Sequence, residues 1–166
     1  MKRLTLLLAV AALCSVATDA VAQESARVLS SWDDPVKLSD GTETVYRYDV
    51  VYDYDTGIAL RNAYDTSGTL VETVQVAPPG APSAEEIEEA RAIILADEAI
   101  AGVAARSNAT VEGGFILFAD QYPACAAPAR CLQFDIMPPS KMESLQFVVV
   151  DLRTRTIIER DLFPDL

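Results

Sequence analysis

Residues 82–108 read "PSAEEIEEARAIILADEAIAGVAARSN", and the way this stretch divides decides the fold. Ser83-Ala84-Glu85-Glu86 is a capping box: the Ser83 hydroxyl and the Glu86 carboxylate can each satisfy an amide that the first helical turn leaves unpaired. Four glutamates in the opening turns complement the positive end of the helix dipole. Ile87, Ala90, Ile94 and Ala101 form an apolar stripe that Ile93, Ile100 and Val103 broaden, with Glu85, Glu88, Glu89 and Arg91 towards water. The spacing predicts one main helix over 83–106, bent near Asp97, which can itself cap a second, shorter piece.

Upstream, "APPGAPS" at 77–83 stops a sheet, because prolines cannot donate to a strand ladder. Before it, residues 43–77 alternate as a β-meander. Tyr46, Tyr48, Val50, Tyr52 and Tyr54 share one face of a first strand; Arg47, Asp49, Asp53 and Asp55 share the other with Val45 and Val51. Strands over Ile58–Tyr64 and Leu70–Val76 follow, separated by the turn-forming clusters "DTG" and "DTSG". The tyrosine stripe is either core or the lining of a ligand cavity. Residues 23–42 lack a clean period and are expected as an arm or edge strand. Downstream, antiparallel strands are expected within 115–163: Phe115–Ala119, Cys131–Met137, Leu145–Leu152 and Thr156–Phe163. Strands, one helix, then strands is the order of an α+β fold with the helix laid on a curved antiparallel sheet.

The first 22 residues have the layout of a secretory signal peptide: basic Met1-Lys2-Arg3, an apolar run over 4–17 that includes Cys14, and a small-residue cleavage site ending at Ala22. Cleavage after Ala22 leaves 23–166 as a single domain of 144 residues, with 11 basic and 24 acidic side chains and a charge of −13. A periplasmic or secreted location is expected. So acidic a chain repels nucleic acid and anionic membrane surfaces, both of which need cationic neutralisation, and no second apolar run is long enough to span a bilayer. In an oxidising compartment Cys125 and Cys131, in "CAAPARC", are expected to form a disulfide.

The chain holds no histidine, the commonest acid–base group and metal ligand. No metal, cofactor or catalytic residue is therefore assigned. Asp55-Thr56-Gly57 resembles the catalytic tripeptide of retroviral-type aspartic proteases, and "IIERDLF" at 157–163 is similar to the late signature of that family. Such an enzyme would act as a dimer with Asp55 in a shared dyad. Glu159 stands where the family has glycine, and Ile58 where it has a small residue. Asp53 and Asp55 also match positions 1 and 3 of a calcium loop, but Ile58 occupies the turn-glycine place. The simplest role for the tripeptide is a hairpin corner, with Gly57 at positive φ and Asp55 bonding backbone amides. Asn108-Ala109-Thr110 matches a glycosylation sequon, in a chain whose leader looks bacterial.

"PSAEEIEEARAIILAD" and "LQFVVVDLRTRTIIERDL" together resemble the small N-terminal domains of copper amine oxidases and their stand-alone exported relatives, over roughly Pro82–Leu162. The resemblance implies a cystatin-like or NTF2-like fold without the oxidase's copper or quinone machinery. Arg155 stands where a turn glycine is common in that family. The cystatin inhibitor loop is not matched, since "QVAPPG" at 75–80 has the wrong register. The expectation is an exported, non-catalytic binding or accessory domain for a small ligand or an exported protein partner. The alternatives are the Asp55 protease and a structural envelope component.

Overall fold

The computed structural model describes residues 25–162, so the expected leader, its cleavage after Ala22, and Cys14 lie outside the described residues. Eight strands and two helices run in the order β1 (Ala26–Lys37), β2 (Glu43–Asp53), β3 (Ile58–Tyr64), β4 (Leu70–Val76), α1 (Ala84–Ala96), α2 (Glu98–Ser107), β5 (Thr110–Leu117), β6 (Cys131–Met137), β7 (Gln146–Asp151) and β8 (Thr156–Leu162). The strands form two separate antiparallel meanders, β1-β2-β3-β4 and β5-β6-β7-β8.

This overturns the expected α+β architecture of one main helix on one curved sheet, cystatin- or NTF2-like. Over the described residues the protein is mostly β, 46% strand and 19% helix, with two sheets and two short helices. The physical reason for the helix division is Asp97. Its carboxylate accepts from the amides of Ala99 and Ile100 and starts α2, so 83–106 is two helices of 13 and 10 residues. The sheets divide at 77–83, where the chain leaves β4 through two prolines and enters the capping box.

Of the segment 23–42, expected as an arm or edge strand, Ala26–Lys37 is a twelve-residue edge strand paired with β2 along its length, with one irregularity between Val28 and Ser30. The strand expected from Phe115 begins at Thr110. Gly113 and Gly114 make a bulge against β6 that breaks the alternation there. Each hairpin corner in the first sheet is organised by a carboxylate accepting local amides: Asp40 from Thr42, Asp53 from Asp55 and Thr56, and Asp65 from Ser67 and Thr69.

One core joins the two sheets. Leu132, Phe134, Ile136, Val148, Val150 and Leu152 of the second sheet face Ala90, Ile94, Ile100 and Ala104 of the helices. The inner end of the first sheet closes on the same cluster through Val50, Tyr52, Tyr54 and Ala59. Burying one such side chain contributes about 1.5–3 kcal/mol. The outer end of the first sheet projects past this core and is held by a ladder across its strands. Trp32 stacks on Tyr48 with ring centres 5.4 Å apart, the Arg61 guanidinium lies 5.5 Å from the Tyr48 ring centre, and Arg61 reaches Glu72 at 3.6 Å. The tyrosine stripe is thus divided. Tyr52 and Tyr54 are core, whereas Tyr46 and Tyr48 are half-buried in the projecting part.

Candidate functional site

The deepest polar feature is Glu86, fully buried at the third position of α1. One oxygen accepts from Arg130 Nε at 2.8 Å and from the Tyr54 hydroxyl at 2.8 Å. The other accepts from Arg130 Nη2 at 3.0 Å and from the Ser83 amide at 2.8 Å. Arg130 continues outward, donating from Nη1 to the Pro79 carbonyl and from Nη2 to the Ala81 carbonyl, and its guanidinium sits 5.1 Å from the Tyr52 ring centre. The Asp151 carboxylate accepts from the Arg130 amide. One ion pair therefore ties the first sheet, the 77–83 segment, the start of α1, the chain entering β6 and the β7–β8 corner.

Burial by itself would raise the pKa of Glu86. The hydrogen bonds and charge of Arg130, with the Ser83 amide and the Tyr54 hydroxyl, outweigh it and hold the carboxyl below its usual range. Burial, and then the neighbouring Glu86 charge, push the Tyr54 phenol far up, so it remains a donor. With its partners all provided, this cluster is built to hold a structure together. A second link lies on the same helix. Glu89, expected towards water, is half-buried and accepts from Arg27 of β1 and Arg155 of the β7–β8 corner, each at 2.7 Å. Arg155 takes φ +55 in the place where the turn calls for glycine.

Next to Arg130 the surface opens into a cleft of about 450 Å³. Tyr52 and Gly57 of the first sheet form one wall and the end of β5 with Phe118–Asp120 the other. Pro78, the Cys125–Cys131 bridge, Ala127 and Ala129 complete it. The bridge joins Cα atoms 5.6 Å apart and pins the 118–130 loop over the outer face of the second sheet, where Cys125, Cys131 and Val149 are buried. Closing so short a loop stabilises by about 2 kcal/mol in the chain-entropy account. Tyr122, from the same loop, donates to Glu159 of β8. The lining is chiefly apolar, with Arg130 and Tyr52 at the base and Asp120 on the loop side. Phe118 is 45% exposed.

The "DTG" corner stands at the rim of this cleft. Gly57 has φ +72, and a Cβ there would lie 2.8 Å from Pro128 Cα, so the glycine serves both the turn and a close approach of this corner to the 118–130 loop. Asp53, rather than Asp55, accepts the corner amides. Asp55 is exposed, and among the described residues its carboxylate accepts no hydrogen bond. Neither Asp55 nor Asp53 lines the cleft. Asn108, of the sequon, ends α2 in the left-handed conformation. Among the described residues no group of three or more Cys, Asp or Glu is placed to hold a metal ion, and no helix is long and apolar enough to cross a membrane.

Of the residues singled out from the sequence, the structure brings Tyr52, Gly57, Cys125 and Cys131 to the lining of one cleft, and Tyr46, Tyr48 and Asp55 are not among its lining residues. Sequence reasoning missed Arg130, which sits in a small-residue loop 44 positions from its partner and carries no local pattern. No family model matches the chain, and no curated protein matches it. The similarity of 82–162 to the amine oxidase domains rests on the quoted motifs alone.

Proposed function

We propose that the protein is an exported, non-catalytic binding domain that takes a small, mainly apolar ligand in the cleft beside the Cys125–Cys131 bridge. The observation that carries this is the lining of the cleft: alanines, a proline, Ile116, Leu117, Phe118 and a disulfide, with few polar groups. Ligand sites are typically concave, apolar and furnished with a few polar groups that set orientation, at roughly 300–1,000 Å³. Here Asp120 is the exposed polar group positioned to orient a ligand, because the Arg130 guanidinium is committed to Glu86 and two backbone carbonyls, and Tyr52 is only 2% exposed with its hydroxyl donating to the Pro128 carbonyl. The ion pair beneath the cleft fixes its base and the disulfide fixes one wall, so the shape exists before a ligand arrives.

Native mass spectrometry of the full chain produced in a bacterial host tests this. The expected result is a co-purified molecule of defined mass, lost in Ala119→Trp, which places an indole in the mouth without disturbing the core. An unliganded spectrum, or a bound mass that Ala119→Trp leaves in place, would contradict it.

A further inference from the structure

The four sheet edges of this protein are not equally guarded, and we infer that the unguarded one, β4, pairs with β4 of a second copy to make a continuous eight-stranded sheet. Edge strands present unpaired amides and carbonyls, and proteins usually protect them with charge, proline, bulges or cover. Strand β1 carries Asp33, Asp34 and Pro35; β5 is bulged at Gly113 and Gly114; β8 carries Glu159 and Arg160. Strand β4, "LVETVQV", has no proline and one charge, and six of its seven residues are exposed. Leu70 is 51% and Val71 45% exposed.

Charge selects the partner. A chain of net charge −12 repels its own copies over most of its surface. The β4 edge is locally neutral, because its single acid, Glu72, faces Arg61 of β3. The strand is also self-complementary in one register. The β3–β4 pairing is irregular between Ala63 and Tyr64, so Val71 is bulged and Glu72–Val76 is the regular part. An antiparallel pair centred on Val74 uses those five residues and no others. It sets Val74 against Val74, Thr73 against Gln75, and Glu72 against Val76, with residues of each pair on the same face. A register centred on Glu72 would oppose two carboxylates. A two-fold pair of this kind closes on itself and does not polymerise. No residue of β4 lines the cleft, so the pairing and the ligand are tested by different substitutions.

Sedimentation velocity over a concentration series is the test. The expected result is a reversible monomer–dimer equilibrium, shifted to monomer by at least tenfold in Val74→Lys with the circular dichroism spectrum unchanged. Val74→Cys reads the register: the expected result is an interchain disulfide across the two-fold, with Leu70→Cys giving none. A wild-type chain that is monomeric into the millimolar range, a dimer that Val74→Lys leaves intact, or a crosslink at Leu70→Cys and not Val74→Cys would each overturn the inference.

Discussion

Glu86 and Arg130 meet through two hydrogen bonds, Nε to Oε1 at 2.8 Å and Nη2 to Oε2 at 3.0 Å, with both side chains almost wholly excluded from solvent. Such a fork contributes less net stability than its Coulomb energy suggests, because both charges are desolvated. It is costly to break from one side. Arg130→Met leaves a buried carboxylate, and the expected loss is about 3–5 kcal/mol in urea unfolding. The paired change Glu86→Leu with Arg130→Met should lose less than the sum of the two single changes, as a double-mutant cycle would record.

Acid should weaken the fold through the same pair. A carboxyl held below its ordinary pKa contributes stability that is fully present above the unfolded value, about 4.3, and is lost as pH falls through the folded value. Glu86 is shifted in that direction, so the urea midpoint should fall as the pH is lowered below about 4. Asp40, Asp53 and Asp65, lowered by their turn hydrogen bonds, add to the trend with the same sign. Glu86→Gln should flatten the acid limb; an unchanged limb would remove Glu86 from this account.

Two of the hairpin glycines separate conformational strain from contact. Gly68 has φ +81 with open space around it, whereas Gly57 has φ +72 and Pro128 against it. Gly68→Ala should cost about 1–2 kcal/mol, the left-handed penalty alone. Gly57→Ala should cost more, since the added methyl must displace backbone. Equal losses in denaturant melts would show that the contact of the corner with Pro128 carries no weight.

The two aspartates at that corner should behave differently. Asp53→Ala removes the acceptor of two turn amides and should lower thermal stability, while Asp55→Asn should leave stability and ligand binding unchanged. Acid-pH peptide hydrolysis that disappears with Asp55→Asn would favour the alternative, a protease acting through Asp55, over a binding domain.

Much of this fold was legible wherever its cause is local. The capping box at Ser83, the second cap at Asp97, and the bounds of β3, β4 and β6 follow from turn chemistry and side-chain alternation, and they agree with the structure. The division into two sheets was not legible, because periodicity says that Leu70–Val76 is a strand and nothing about where its outer edge ends. Gly113-Gly114 hid the start of β5 for a related reason: a bulge interrupts the period by which a strand is recognised. At the site, the disulfide and Gly57 carried sequence signals. Arg130, Asp151 and the buried role of Glu86 did not, since they are matched across 21 and 44 residues of chain.

The most direct measurement is an amide NMR titration of the full chain with 1-anilinonaphthalene-8-sulfonate, an apolar probe with one anionic group. Saturable shifts gathered on Ile116–Asp120, Ala127–Cys131, Tyr52 and Gly57 are expected, and they should vanish in Ala119→Trp. Shifts centred instead on Trp32 and Tyr48, or scattered without saturation, would contradict the cleft as the place where this protein meets its ligand.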